Sequence, residues 1–135
     1  MRKKIYFLAD AHLGSKSHVD SMETERKLCR WLDGIKDHAL ALYLMGDIFD
    51  YWYEYKHVVP KGFTRLLGKL GELTDLGVDV HFFIGNHDLW LTDYLAKECG
   101  MTIHLKPYTT TIHDHKFFLA HGDGLGDDSR SFHFL

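Results

Sequence analysis

The sequence is poor in cysteine and proline, with only two of each among its 135 residues. Cys29 and Cys99 lie in helix-like segments and form neither a metal-binding nor a redox spacing, so we interpret them as reduced thiols in the core. No proline- or serine-rich linker, internal repeat or low-complexity tract divides the chain. These absences predict that residues 1–135 form one domain, or part of one.

Long hydrophobic runs and an excess of basic residues are also lacking. The apolar run near the N-terminus covers only residues 5–9, too short for a signal peptide, and no stretch reaches the length of a membrane span. The net charge is −3 with the histidines neutral, which argues against nucleic acid as a partner. We therefore expect a cytoplasmic protein.

Hydrophobic residues nevertheless make up 45% of the chain, enough for a packed core, and many of them fall in short runs. Four runs are aromatic or branched and bounded by turn residues, which is typical of buried strands. They read IYFLA (5–9), ALYLM (41–45), VHFFI (80–84) and KFFLA (116–120).

The spacing of apolar residues between and after these runs predicts helices over residues 21–37, 61–76 and 89–98. Two further strand-like segments, residues 102–105 and 109–113, follow the last helix. The order is βαβαβα followed by an antiparallel tail. It predicts an α/β fold built on a largely parallel sheet with right-handed connections.

Each of the four apolar runs is followed at once by polar residues that can bind a metal ion. In chain order these residues are Asp10 and His12, Asp47 and Asp50, Asn86 with His87 and Asp88, and His121 with Asp123. Ligands bind beyond the carboxyl ends of the strands in open α/β sheets. Neighbouring strands would therefore bring all four groups to one edge of the sheet.

The donor types in these groups indicate which metals they suit. Carboxylate, amide and imidazole donors without thiolate favour Mn, Fe or Zn over a calcium cage or a cysteine–zinc site. The donors also outnumber the needs of a single ion. We therefore predict two divalent ions joined by a bridging carboxylate, the arrangement used for in-line displacement at phosphorus.

Each group taken alone has a simpler interpretation as a surface turn, and only their ordered combination at strand ends favours a metal site. His113 and His115 have a chelating spacing, but they fall at a predicted hairpin tip, at the opposite end of a strand from His121. We expect a solvated turn there. The remaining single histidines are interpreted as surface or core residues with ordinary partners: His38, His57, His81 and His104.

The order D-x-H, GD-x-x-D, GNHD and HGD resembles the signature of the calcineurin-like metallophosphoesterases, over essentially the whole chain. The resemblance implies a four-layer α/β/β/α sandwich with two metal ions at the strand ends. It implies that Asp10 and His12 bind the first ion. Asp47 would bridge both ions, and Asn86 and His121 would bind the second.

The resemblance also implies roles around the ions. His87 matches the catalytic position that protonates a leaving group or steadies the phosphoryl oxygens, and Asp88 would orient it. Asp50 and Asp123 would hold the ligands in place without touching the ions. Manganese is the first expectation for the metal, with iron or zinc as alternatives.

Within this family, ADAHLG, YLMGDIFDYWYEY, GNHDLW and HGDGLGDD are most similar to the UDP-2,3-diacylglucosamine diphosphatases of lipid A synthesis. That similarity implies a nucleotide-linked lipid as substrate and contact with the inner-membrane surface. Aromatic residues 49–55 fit such a surface, and they fit a buried core edge equally well. A phosphatase acting on phosphoproteins or nucleotides, or an inactive metal-binding fragment, remains an alternative.

The chain departs from the family pattern after His121, because no Gly-His-x-His follows to complete the two metal shells. A second sheet with its helices is missing as well. We therefore expect residues 1–135 to be the N-terminal part of a longer enzyme, truncated before that motif. An apolar sheet face would then be left uncovered, or would be covered by self-association with a second chain.

Overall fold

The computed structural model describes residues 2–15, 21–54, 57–85 and 93–121 of the chain. Strands and helices alternate in the first part, and strands alone follow. In order the elements are β1 (Lys4–Leu8), α1 (Ser21–Ile35), β2 (Ala39–Leu44), α2 (Thr64–Asp75), β3 (Asp79–Phe83), α3 (Tyr94–Cys99), β4 (Thr102–His104), β5 (Tyr108–Ile112) and β6 (His115–Leu119). The predicted α/β class is confirmed. Part of the third predicted helix, residues 89–92, lies outside the described residues.

The first four strands form one parallel sheet in the order β1-β2-β3-β4. Leu8 of β1 lies beside Leu44 of β2, and Leu44 lies beside Phe82 of β3. The prediction that an antiparallel tail begins after the third helix is wrong for β4, which pairs parallel to β3. The reason is that α3 serves as a crossover helix, which returns the chain to the same end of the sheet.

One face of this sheet packs against the helices. Alternate strand residues point to this side, among them Leu42 and Leu44 of β2 and Val80 and Phe82 of β3, and all four are buried. The helices contribute apolar residues at helical spacing to the same core, such as Leu32 of α1, Leu66 and Leu70 of α2, and Leu95 of α3. The sheet and its helices therefore enclose the main core.

Glu25 of α1 is a buried carboxylate between the two long helices, with an exposed fraction of 4%. Its Oε2 atom accepts a hydrogen bond from the backbone N–H of Leu66, in the first turn of α2, at 2.9 Å. The first N–H groups of a helix have no partner within the helix. Glu25 supplies such a partner from a neighbouring helix and so fixes where α2 begins against α1.

The opposite face of the sheet is covered in part by the antiparallel hairpin of β5 and β6, a separate two-stranded sheet. Tyr43 and Phe83 of the parallel sheet form a second apolar cluster with Leu119 of β6, and Tyr108 of β5 packs against it. Phe7 stacks on Tyr43 yet stays 45% exposed. The expectation of an uncovered face is thus wrong where the hairpin lies and holds around Phe7.

Three smaller predictions can also be compared with the fold. Cys29 and Cys99 are free thiols, and Cys99 is buried, as predicted. Among the described residues, no helix is long and apolar enough to span a membrane. Aromatic segment 49–55 is divided: Phe49 and Trp52 are fully buried, whereas Tyr51 is 64% exposed, and Tyr55 lies outside the described residues.

Candidate metal centre

The loops that follow β1 and β2 run side by side beyond the ends of the strands. The backbone N–H of Asp10 donates to the carbonyl of Gly46 at 3.1 Å, and the N–H of His12 donates to the carbonyl of Asp47 at 3.0 Å. These bonds extend the pairing of the two strands into the loops. They hold the D-x-H segment in register with the Gly46–Asp47 segment, which places the three polar side chains together.

The backbone at these three polar residues has an uncommon conformation. Asp10, His12 and Asp47 all have positive φ angles, of 56°, 46° and 51°. Residues other than glycine adopt this left-handed region rarely, and such strain, on the order of 1–3 kcal/mol per residue, gathers at functional sites. The backbone of these three residues is therefore strained, and the hydrogen bonds between the two loops maintain its conformation.

Asp10, His12 and Asp47 offer one ligand atom each, and these atoms lie within 4.8 Å of one another. The Nε2 atom of His12 is 3.7 Å from Oδ1 of Asp10 and 3.9 Å from Oδ2 of Asp47. Asp10 is exposed, His12 is half-buried and Asp47 is buried. Two carboxylates and an imidazole at this spacing can hold a divalent ion, and the exposed side leaves room for water or substrate.

Asp50 orients His12. Its Oδ1 atom lies 3.3 Å from Nδ1 of His12, on the side of the ring opposite to the ligand atom. A carboxylate that accepts the Nδ1–H fixes the tautomer in which Nε2 carries the lone pair. The lone pair of His12 is then aimed at the space between Asp10 and Asp47.

His121 reaches the same place from the other sheet. Its Nδ1 atom donates to the carbonyl oxygen of Met45 at 2.7 Å, and its Nε2 atom lies 3.1 Å from Oδ2 of Asp47. With Nδ1–H committed to Met45, Nε2 is the nitrogen that faces the carboxylate and that could bind a divalent cation. The donor set therefore also fits a metal ion held between His121 and Asp47.

Two glycines leave the space that this arrangement needs. A Cβ atom on Gly46 would come within 2.5 Å of Nδ1 of His121, and one on Gly85 would come within 2.5 Å of the backbone nitrogen of Asp47. Any side chain at either position would displace a predicted ligand. Gly85 directly precedes the predicted ligand Asn86. The loop after β3 therefore approaches Asp47 closely at the residue before that ligand.

The structure thus brings together Asp10, His12, Asp47 and His121 of the predicted ligands, with Asp50 behind His12. Other predicted site residues lie outside the described residues, and their roles stay predictions: Asn86, His87, Asp88 and Asp123. The expectation that neighbouring strands of one sheet deliver all the groups is wrong for His121. It follows β6, which belongs to the hairpin sheet rather than to the parallel sheet.

Four other histidines that the structure describes lie away from this cluster: His81, His104, His113 and His115. His113 is at the hairpin tip, where its Nε2 atom contacts the carbonyl of Lys3 near the start of β1, and His115 is exposed. Both are at the far end, as predicted. His81 and His104, interpreted as single residues, in fact contact each other.

Sequence reasoning did not find the supporting groups of the site. The carbonyl of Met45 fixes the ring of His121. Gly46 leaves room for His121, and Gly85 leaves room for Asp47. The available signal was a glycine directly before Asp47 and another directly before Asn86. A glycine in that place is equally typical of a turn, so the sequence alone does not reveal this role.

Comparisons with known proteins identify one family and several similar proteins. A family model described as calcineurin-like phosphoesterase matches residues 3–133. The chain is 58% identical over 123 residues to UDP-2,3-diacylglucosamine hydrolase of Porphyromonas gingivalis, covering 91% of this chain and 47% of that protein. It is 34% identical to the protein of the same name from Edwardsiella ictaluri, covering 93% of this chain and 47% of that protein.

The chain therefore spans about half the length of the curated relatives that it matches. A solved structure of the protein of unknown function AQ665 from Aquifex aeolicus is also similar, with 17% identity and a TM-score of 0.46. That similarity covers 86% of this chain and 59% of the other. It is too low to bear on the fold.

Proposed function

Since the chain belongs to the calcineurin-like phosphoesterase family, we propose that its full-length protein is a metal-dependent hydrolase of a nucleotide-linked lipid. The proposed reaction cleaves the diphosphate of UDP-2,3-diacylglucosamine and gives UMP and 2,3-diacylglucosamine 1-phosphate. The observation that carries the proposal is the position of Asp47, whose Oδ2 atom faces both His12 and His121. The sequence identity of 58% to a relative named UDP-2,3-diacylglucosamine hydrolase supports the choice of substrate.

The described residues suggest how two ions would be held. Oδ2 of Asp47 lies 3.9 Å from Nε2 of His12 and 3.1 Å from Nε2 of His121, and this supports a bridging role for Asp47. When bound, the ions would supply Lewis acidity towards a phosphoryl group and a more acidic water. Imidazole and carboxylate donors suit manganese, which we propose as the metal, and iron or zinc are alternatives.

Around the ions, the family resemblance gives the remaining roles. Asn86 is proposed as a ligand of the second ion, and Asp123 as a support for the loop of His121. His87, oriented by Asp88, is proposed to steady the phosphoryl oxygens. Because the leaving group is itself a phosphate, it needs little protonation, so we expect a smaller role for His87 as an acid than with an alkoxide leaving group.

The lipid part of the substrate implies contact with the inner-membrane surface from the cytoplasmic side. Two exposed apolar residues of the segment after Asp50 support this proposal, Tyr51 at 64% and Val58 at 62% exposure. Exposed apolar side chains can insert at a membrane interface. Self-association is proposed separately, through the part of the sheet face around Phe7 that the hairpin leaves exposed.

The decisive experiment compares substrates with the full-length protein in Mn²⁺. We expect UMP release from UDP-2,3-diacylglucosamine, and much slower release of phosphate from nucleotides and phosphopeptides. Hydrolysis of bis-p-nitrophenyl phosphate tests the metal centre without the lipid. Activity on that compound without UMP release would reject the lipid substrate and keep the phosphoesterase. A folded, metal-loaded protein that hydrolyses none of these compounds would reject both.

A further inference from the structure

A second group of titratable residues lies beneath the hairpin, away from the metal centre. Nδ1 of His81 on β3 is 2.8 Å from Nε2 of His104 on β4, and Nε2 of His81 is 2.9 Å from Oδ2 of Asp79. His81 is buried, with an exposed fraction of 7%. The three residues form a chain of hydrogen bonds from a carboxylate through two imidazoles.

Aromatic rings enclose the two imidazoles. Tyr43 of β2 stacks on His81 with ring centres 4.5 Å apart, and Phe83 stacks on His104 at 4.5 Å. Tyr108 of β5 packs on His104 from the hairpin side, with ring centres 4.6 Å apart. The pair is therefore part of the interface through which the hairpin lies on the parallel sheet.

The hydrogen-bond geometry limits how many protons the pair can hold. The 2.8 Å contact has room for one proton between the two nitrogens. One proton lies there when both rings are neutral, and also when only His81 is charged and donates to Asp79 and His104. When both rings are charged, two N–H groups face each other and the contact is lost.

This arrangement gives His104 a preference for the neutral state. Burial lowers the pKa of His104 below its ordinary value of 6.5, the neighbouring His81 lowers it further, and Asp79 opposes the shift. A histidine with a lowered folded-state pKa binds protons more readily when unfolded. Its contribution to stability is complete above pH 6.5 and decreases as the pH falls from there towards the folded-state pKa.

We propose that Asp79, His81 and His104 form a pH-sensitive cluster within the parallel sheet, on which Tyr108 of the β5–β6 hairpin packs, and that acidification breaks the contact between the two histidines and so loosens the hairpin. The titratable groups that face the pair are Asp79 of β3, Tyr43 of β2 and Tyr108 of β5. Double protonation of the histidines therefore has no second carboxylate among these groups to offset it.

The hairpin end that touches the pair is the end that leads to the metal centre. Tyr108 lies opposite Leu119 in the hairpin, and His121 follows Leu119 by two residues. Loss of the contact at His104 therefore loosens the strand end that brings His121 to Asp47. The contact itself needs neither metal nor substrate, so it can be tested independently of the proposed hydrolysis.

The test is amide hydrogen exchange of the metal-free full-length protein at pH 8.0 and pH 5.5, corrected for the intrinsic exchange rates. We expect the protection of the hairpin amides to fall at the lower pH, relative to that of the amides of β2 and β3. In His104→Gln the amide still donates to His81 but does not titrate, so most of the fall should disappear.

The matched control is His115→Gln, which removes an exposed histidine from the same hairpin and should respond to pH as the wild type does. Nitrogen NMR of the wild-type rings gives a second measurement that needs no variant. There, the pKa of His104 should lie below its ordinary value of 6.5. An ordinary titration of His104, or an unchanged pH response in a folded His104→Gln protein, would overturn the proposal.

Discussion

His121 and Asp47 face each other across two different sheets, with Nε2 of the imidazole 3.1 Å from Oδ2 of the carboxylate. Asp47 is fixed by the loop after β2, whereas His121 is positioned by the hairpin and by its bond to the carbonyl of Met45. The site therefore depends on how the hairpin lies on the sheet, as well as on the strand ends themselves.

Replacement of the bridging candidate is expected to have the largest effect. Asp47→Asn keeps the shape of the side chain but removes the charge that both ions would share, so we expect it to abolish binding of one metal equivalent. Elemental analysis and calorimetry with Mn²⁺ measure this. Asp75→Asn, at the exposed end of α2, is the control and should retain metal. Two ions retained by Asp47→Asn would contradict the bridging role.

Asp50 should act through His12 and not through the metal directly. Asp50→Ala removes the acceptor 3.3 Å from Nδ1, which frees the ring to rotate and to change tautomer. Loss of such an orienting partner lowers metal affinity by about 10–100-fold. The measurement is a competition titration with a metal-binding dye, and Asp50→Asn should recover part of the affinity. Equal affinities of wild type and Asp50→Ala would show that His12 needs no orientation.

Gly85 should be intolerant of a methyl group for steric reasons alone. In Gly85→Ala the new Cβ would overlap Asp47, so the carboxylate must move and metal binding should fall by at least tenfold. Gly68→Ala in α2 is the matched control, because a Cβ there meets nothing within 4 Å. It should leave metal binding unchanged and raise stability by about 0.5–1 kcal/mol. Normal metal binding by Gly85→Ala would mean that the two loops separate easily.

Glu25 should matter for stability and not for catalysis. Glu25→Ala leaves the N–H of Leu66 without its acceptor in a buried place, which costs about 1–3 kcal/mol in the free energy of unfolding. Glu23→Ala on the same helix removes exposed ion pairs with Arg26 and Arg30 and should cost less than about 1 kcal/mol. Urea denaturation of the metal-free proteins measures both. Similar losses in the two variants would contradict the capping role of Glu25.

The part of the fold that depends on local pattern was predictable from the sequence. The three strands and two long helices of the first 83 residues carry clear alternation or helical spacing, so their existence and order followed. The four donors Asp10, His12, Asp47 and His121 could be chosen because each follows an apolar run directly. Family resemblance then assigned their roles.

The predictions that failed concern features that depend on how distant segments of the chain pair. Strand β4 has only three residues, Thr102–His104, and its direction is set by α3 and by its pairing with β3 rather than by its own pattern. The contact of His81 with His104 depends on the register of two neighbouring strands, which no local signal encodes. The separate sheet of the hairpin was missed for the same reason.

The spatial order of the four parallel strands repeats their order along the chain. During synthesis from the N-terminus, each new strand therefore meets a partner that has already emerged from the ribosome, and the hairpin then forms from neighbouring residues. The contact between His121 and Asp47 is long-range and forms after these steps. A nascent chain can accordingly build its parallel sheet and helices vectorially, and His121 reaches Asp47 only once the hairpin has emerged.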